Sequence, residues 1–119
     1  RVAAGFPSPA DDHLDRTLDL NEHLVKHPAA TFFVRVEGVS MINAGIHPND
    51  ILVVDRSLQP ADGRIIIAAL NGELTVKRLY RRDGKVMLLP ENPDYQPIPV
   101  TEECDFTIWG VVTNVIHDL

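Results

Sequence analysis

Two residues stand out for the chemistry they could do together. Ser40 follows an apolar, alternating stretch in Val36-Glu37-Gly38-Val39-Ser40-Met41-Ile42. A glycine two positions before a serine lets the backbone turn sharply, so the N–H groups of Val39 and Ser40 can be aimed at one point. If Met41 to Ala44 begins a helical turn, those donors are free, an arrangement that suits a nucleophile beside an oxyanion hole. The plainer alternative is that Ser40 only caps the turn, since serine is a preferred N-cap.

Lys77 is the second. In Leu74-Thr75-Val76-Lys77-Arg78-Leu79-Tyr80, strand alternation puts Thr75, Lys77 and Leu79 on one face and Val76, Arg78 and Tyr80 on the other. A lysine on such a strand ordinarily snorkels to water. The functional alternative is a desolvated, neutral amine acting as general base. With an ordinary pKa of ~10.4, deprotonation at pH 7 costs roughly 4.6 kcal/mol. Burial lowers such a pKa by up to about 3–5 units, enough to cover that cost. A Ser–Lys dyad of this kind needs no histidine.

Other reactive side chains offer less. His23 and His27 are four apart, a metal-pair spacing, but no cysteine or third histidine joins them and solvent exposure is the expectation. His13, His47 and His117 each stand alone in the chain, so no metal and no cofactor is expected. Cys104 lies among Glu102, Glu103 and Asp105, charges that should raise a thiol pKa and leave it unreactive.

The elements that must position Ser40 and Lys77 are mostly strands. Phe32, Val34 and Val36 alternate within Thr31–Glu37, and Ile51–Val54, Arg64–Leu70 and Val86–Leu89 are apolar runs of strand length. Asn71-Gly72 before Leu74–Tyr80 is a strong hairpin signal, because both turn positions need positive φ. Asp83-Gly84 reads as a second hairpin and Asp62-Gly63 as a loop. Phe106–Ile116 predicts a long last strand with a bend or bulge at Gly110. One short helix is predicted between Asp19 and Pro28, capped by Asp19 or Asn21 and stopped by the proline. Before it, a proline- and aspartate-rich segment without period reads as an arm. The expected architecture is mostly β, with one or two short helices.

Composition bounds the function. The chain has 119 residues, room for one domain, with 45% hydrophobic and 24% charged residues. Eleven Lys+Arg against 17 Asp+Glu leave a formal charge of −6, which disfavours direct nucleic-acid binding driven by phosphate contacts. No apolar run approaches the ~20 residues of a membrane span. A single cysteine cannot form an internal disulfide, so the expectation is a cytoplasmic domain with no membrane association. Starting at Arg1 rather than Met, the chain is expected to be a truncated precursor or an engineered fragment.

Taken together, Gly38-Val39-Ser40-Met41, the separation of 37 positions between Ser40 and Lys77, and Thr75-Val76-Lys77-Arg78-Leu79 resemble the self-cleaving Ser–Lys proteins of the bacterial SOS response. The spacing is shared with LexA-type repressors. The arm Gly5-Phe6-Pro7-Ser8-Pro9-Ala10, with Asp19-Leu20-Asn21, His27-Pro28-Ala29-Ala30-Thr31 and Gly110-Val111-Val112, resembles the UmuD-type subfamily, accessory subunits of an error-prone translesion DNA polymerase. The resemblance implies a LexA/signal-peptidase-like β domain over residues 29–119, preceded by an arm over 1–28 that carries the cleavage site and the short helix.

It further implies that Ser40 is the nucleophile and Lys77 the general base and later acid. Val39 and Ser40 N–H groups would form the oxyanion hole, and Ala4–Gly5 would be the scissile bond. The implied partners are a second copy in a homodimer, a RecA nucleoprotein filament that stimulates cleavage, and a UmuC-type polymerase subunit. Physically the arm is long enough to reach Ser40, since each extended residue spans up to ~3.3–3.6 Å. For the homodimer, Phe106–Ile116 could offer a free edge for pairing. Two other readings compete. One is the C-terminal self-cleavage and dimerisation domain of a LexA-type repressor. The other is a non-enzymatic dimerisation module in which Ser40 is a cap and Lys77 a surface lysine. A signal-peptidase-like enzyme acting on other chains shares the dyad but needs a membrane anchor.

Overall fold

The computed structural model describes residues 2–7, 9 and 17–119. Seven strands account for most of it: β1 (Thr31–Arg35), β2 (Ile51–Asp55), β3 (Ile65–Leu70), β4 (Glu73–Arg82), β5 (Lys85–Leu89), β6 (Ile98–Val100) and β7 (Phe106–Ile116). They form one antiparallel sheet in the order β1-β2-β7-β3-β4-β5-β6. The mostly-β expectation holds, with one strand, β6, that the apolar runs did not mark.

The local signals act as expected. Asn71 and Gly72 both take positive φ, 50° and 87°, and close the β3–β4 hairpin. Asp83 and Gly84 do the same between β4 and β5. The helix α1 (Leu20–Leu24) has Asp19 as its N-cap, whose carboxylate accepts from Asn21 N–H. It ends before Pro28, which instead occupies the first position of a short 3-10 turn, Pro28–Ala30. There its missing N–H costs nothing. His27 is not simply a solvent-facing histidine: its Nδ1 lies 2.5 Å from Oδ2 of the buried Asp55.

Strand β3 reads as a continuous apolar run, Ile65-Ile66-Ile67-Ala68, because both of its faces are covered. Ile67 packs with Val36, Met41, Ile46, Leu52 and Val54. Ile66 and Ala68 join Leu79, Leu88 and Val111 in a second cluster.

The last strand is not an outer edge, contrary to the expectation for Phe106–Ile116. It lies between β2 and β3, and the outer strands are β1 and β6. Only part of each flank of β7 is used: Phe106–Val111 pair with β3, while Val111–Ile116 pair with β2. Beyond Val111 the β3 side of β7 therefore carries no strand among the described residues. Two register shifts accommodate the change of partner, one by Gly110 and one between Val112 and Asn114. Such bulges bend a strand and increase its twist. Gly110 is required by close approach: a Cβ there would stand 2.7 Å from Val54 Cγ1 and 3.1 Å from the Asp55 carbonyl oxygen.

That insertion of the C-terminal strand also overturns the view of His47 and His117 as isolated. Ile51 pairs with Ile116, so Asp50 comes beside His117, and the turn before Asp50 brings in His47. His13 lies outside the described residues.

Candidate active site

In the strand order, β2, β7 and β3 stand between β1 and β4. The Ser40 loop reaches Lys77 through the β1–β2 connection, whose Met41 and Ile46 pack in one cluster with Leu52, Val54 and Ile67 of the sheet. That connection starts at Gly38, whose φ of 80° makes the sharp turn expected of it. It is anchored by Met41 and Ile46, each about 1% exposed. A 3-10 turn follows at Ile42–Ala44, but its N-cap is Met41, not Ser40. The capping role for Ser40 is thus not the one it takes.

Instead, Ser40 Oγ lies 3.0 Å from Lys77 Nζ, across 37 positions of sequence. Lys77 does not snorkel: the residue is 8% exposed. Its Nζ donates to Thr75 Oγ1 at 2.7 Å and to the Val76 carbonyl at 3.1 Å. Strand alternation supplies the first of these, because Thr75 and Lys77 share a face of β4. Among the described residues no carboxylate forms an ion pair with Lys77. Burial disfavours the ammonium, with no carboxylate among the described residues to offset it, so the pKa of Lys77 is lowered.

The backbone around the serine is held by its carbonyls. Ser40 C=O accepts from Glu91 N–H at 2.8 Å, and Val39 C=O accepts from Asn92 Nδ2 at 2.9 Å. Among the described residues, neither the Val39 nor the Ser40 N–H donates a hydrogen bond within the chain. Glu91 reaches further: its carbonyl accepts from Asn43 N–H at 2.8 Å, and its carboxylate accepts from Arg78 Nε at 2.5 Å. One residue thereby ties the serine turn to the strand that carries Lys77. Sequence reasoning put Thr75 on the face of Lys77 without giving it a role, and it missed Glu91 and Asn92, which carried no readable signal.

A cleft of about 400 Å³ runs past the pair. Val36, Leu52, Ile67 and Val76 give it an apolar wall, with Val39, Ser40 and Lys77 at the polar end. Ala4 and Gly5 do not line it. Both are exposed, and among the described residues nothing lies within 4 Å of the position a Gly5 Cβ would take. Ser40 and Lys77 are brought together; the expected scissile bond is apart from them.

Cys104 departs from expectation in its electrostatics. Its thiol is paired with Thr101, whose hydroxyl and N–H both lie 3.5 Å from Sγ. These hydrogen bonds lower the thiol pKa, outweighing the Glu103 charge that raises it. Cys104 is not among the cleft-lining residues.

Comparison with known proteins shows the family. A family model described as Peptidase S24-like matches residues 1–113. Protein SamA of Salmonella typhimurium is 48% identical over 117 residues, covering 98% of this chain and 81% of its own length. Protein ImpA of Escherichia coli is 46% identical over 118 residues, covering 98% and 79%. The LexA repressor of Bordetella parapertussis is 40% identical over 117 residues, 98% of this chain but 54% of the repressor.

Proposed function

Because this chain belongs to the peptidase S24-like family, we propose that it is a self-cleaving SOS-response protein that cuts its own Ala4–Gly5 bond. Trimming then yields the accessory subunit of an error-prone translesion polymerase. The observation that carries the chemistry is the 3.0 Å approach of Ser40 Oγ to an amine with no carboxylate partner among the described residues. Thr75 Oγ1 and the Val76 carbonyl accept the two N–H bonds of a neutral amine. Its lone pair is left for the serine proton.

The reaction follows from those positions. Residues 1–28 act as the arm and residues 29–119 as the catalytic domain. The arm swings into the cleft and presents the Ala4 carbonyl carbon to Ser40 Oγ. As Oγ attacks, its proton passes to Lys77 Nζ, and the carbonyl oxygen takes up negative charge facing the Val39 and Ser40 N–H groups. The Lys77 ammonium then gives its proton to the Gly5 nitrogen, and the Ala4–Gly5 bond breaks. This leaves Ala4 as an ester on Ser40. Water, deprotonated by the restored amine, hydrolyses the ester. Small Ala4 and Gly5 suit a narrow cleft in which the substrate backbone must come close.

The partners belong to the same reading: a RecA filament that stimulates cleavage, a UmuC-type polymerase subunit, and a second copy of this chain. The stretch of β7 after Val111, unpaired on its β3 side among the described residues, is the surface on which a second copy adds a strand. The same proposal assigns the reaction to the cytoplasm. A second reading, the self-cleaving half of a LexA-type repressor, is favoured by the repressor-like Ala4-Gly5 pair. The Gly-Phe-Pro-Ser-Pro arm and the higher identity to SamA and ImpA favour the first.

The test is direct. The chain with its native upstream residues is incubated with RecA on single-stranded DNA, and the product is sequenced from its N-terminus. The expected product begins Gly5-Phe6-Pro7, and Ser40→Ala leaves the precursor whole. Cleavage elsewhere, or cleavage that survives Ser40→Ala, overturns the proposal.

A further inference from the structure

Away from the cleft, three side chains from two distant parts of the sequence converge. His47 and Asp50 belong to the tight turn before β2, closed by Asp50 N–H donating to the His47 carbonyl at 3.1 Å. His117 follows the end of β7 and arrives beside Asp50 through the β2–β7 register. One ligand-type atom from each of the three lies within 4.8 Å of the others. The two imidazole centroids are 5.1 Å apart and the rings are tilted by 42°.

A simple ion pair does not account for all of this. His117 Nδ1 sits 2.5 Å from Asp50 Oδ1, and that contact alone would make a pair. His47, however, has a buried Nδ1 with no hydrogen-bond partner among the described residues. It points toward the same carboxylate, 3.7 Å from Oδ2, which is beyond hydrogen-bond reach. Asp50 itself is 2% exposed, and its Oδ2 accepts from His47 N–H at 2.7 Å.

We propose that His47, Asp50 and His117 form a zinc(II) site distinct from the cleft, with two imidazoles and one carboxylate as protein ligands. Zinc bound at about 2.0–2.2 Å in a tetrahedral shell sets its ligand atoms roughly 3.3 Å apart. The 3.7 Å separation already present comes close to that value. Metal binding exchanges the His117–Asp50 hydrogen bond for two coordinate bonds: the Nδ1 proton of His117 is given up to solvent, the neutral ring carries its proton on Nε2, and the stranded His47 nitrogen is satisfied. The donor set selects the metal class: imidazole nitrogen suits zinc, whereas magnesium and calcium require oxygen ligands. Three protein ligands leave a fourth position for water.

The site would clamp the end of the connection that carries Ser40. Asn49 N–H donates to the Val36 carbonyl, and Val36 N–H to the Asp50 carbonyl, each at 2.9 Å. Zinc would therefore join β1, the start of β2 and the end of β7. None of the three ligands lines the cleft, so zinc binding can be tested apart from cleavage.

The experiment uses the full chain carrying Ser40→Ala to keep it intact, stripped with a chelator and titrated with zinc chloride by calorimetry. Cobalt(II) serves as an optical probe of tetrahedral coordination. One metal per chain is expected, with affinity reduced about tenfold or more by His47→Gln and by His117→Gln. Both side chains are nearly half exposed, 42% and 46%, and circular dichroism checks that the variants fold. Histidine ring NMR on the unsubstituted ligands gives an independent readout, in which zinc shifts His47 and His117 together. No saturable binding at micromolar zinc overturns the proposal. So does binding that persists in both variants, or ring shifts confined to His23 and His27.

Discussion

Glu91 holds Ser40 from behind: its N–H donates to the Ser40 carbonyl at 2.8 Å. The same residue receives Arg78 Nε on its carboxylate, and Arg78 is the chain neighbour of Lys77. The nucleophile and the amine therefore share a support outside the cleft, and their 3.0 Å separation is braced from both sides. Among the described residues the N–H groups of Val39 and Ser40 donate to no acceptor within the chain.

The first prediction concerns pH. Burial lowers the pKa of Lys77, so the neutral amine gains population as pH rises from 7 until the folded-state value is passed. Self-cleavage without RecA should accelerate over that range and then level off. Stability gains in the same direction: the folded state binds fewer protons at this site, so it is favoured as pH rises from the lowered value toward the ordinary one. Lys77→Arg should be inactive at every pH, because guanidinium stays charged. Rates from gel densitometry between pH 7 and 10 check this, and a flat profile would contradict the general-base role.

The second concerns Thr75. Thr75→Val keeps the shape but removes the acceptor 2.7 Å from Lys77 Nζ. Losing one hydrogen bond worth about 1 kcal/mol should slow cleavage roughly fivefold. Thr75→Ser should restore most of the rate, since it returns the hydroxyl. Equal rates for the valine and threonine proteins would remove Thr75 from the amine's support.

The third concerns Gly110. An alanine methyl would meet Val54 Cγ1 at 2.7 Å and the Asp55 carbonyl oxygen at 3.1 Å. The side chain could rotate away but the carbonyl belongs to the β2 backbone. Gly110→Ala should cost about 1–3 kcal/mol, typical of overpacking, and lower the urea midpoint. An unchanged midpoint would mean that β2 and β7 separate more easily than their packing implies.

The fourth concerns acid stability. Burial works against ionisation of Asp55, but hydrogen bonds from Ser57 and His27 outweigh it, and its pKa is lowered. A carboxyl depressed in the folded state contributes stability that is complete above its unfolded value of about 3.9. That stability disappears as pH falls through the folded value. Asp55→Asn should therefore lower stability at pH 7 and flatten the acid limb of a thermal-melt series below about pH 4. An acid limb as steep as in the parent would place the titration on other groups.

How much was legible in the residues themselves follows from the range of the forces involved. Turns and caps are set within a few positions, so Asn71-Gly72, Asp83-Gly84, Gly38 and the Asp19 cap could be read directly. Strand alternation likewise put Thr75 beside Lys77. The pairing of Ser40 with Lys77 came from a motif spacing, not from any local force, and its 3.0 Å contact depends on the β1–β2 connection packing back on the sheet. Three features depended wholly on tertiary structure. The placement of β7 between β2 and β3 is a choice among strand pairings of nearly equal local merit, decided by which arrangement buries Val111 and admits Gly110 against β2. Cys104 takes its lowered pKa from Thr101, where counting nearby charges pointed the other way. His47 and His117 meet at Asp50 because the last strand returns to the second, a contact spanning 67 positions that no local pattern encodes.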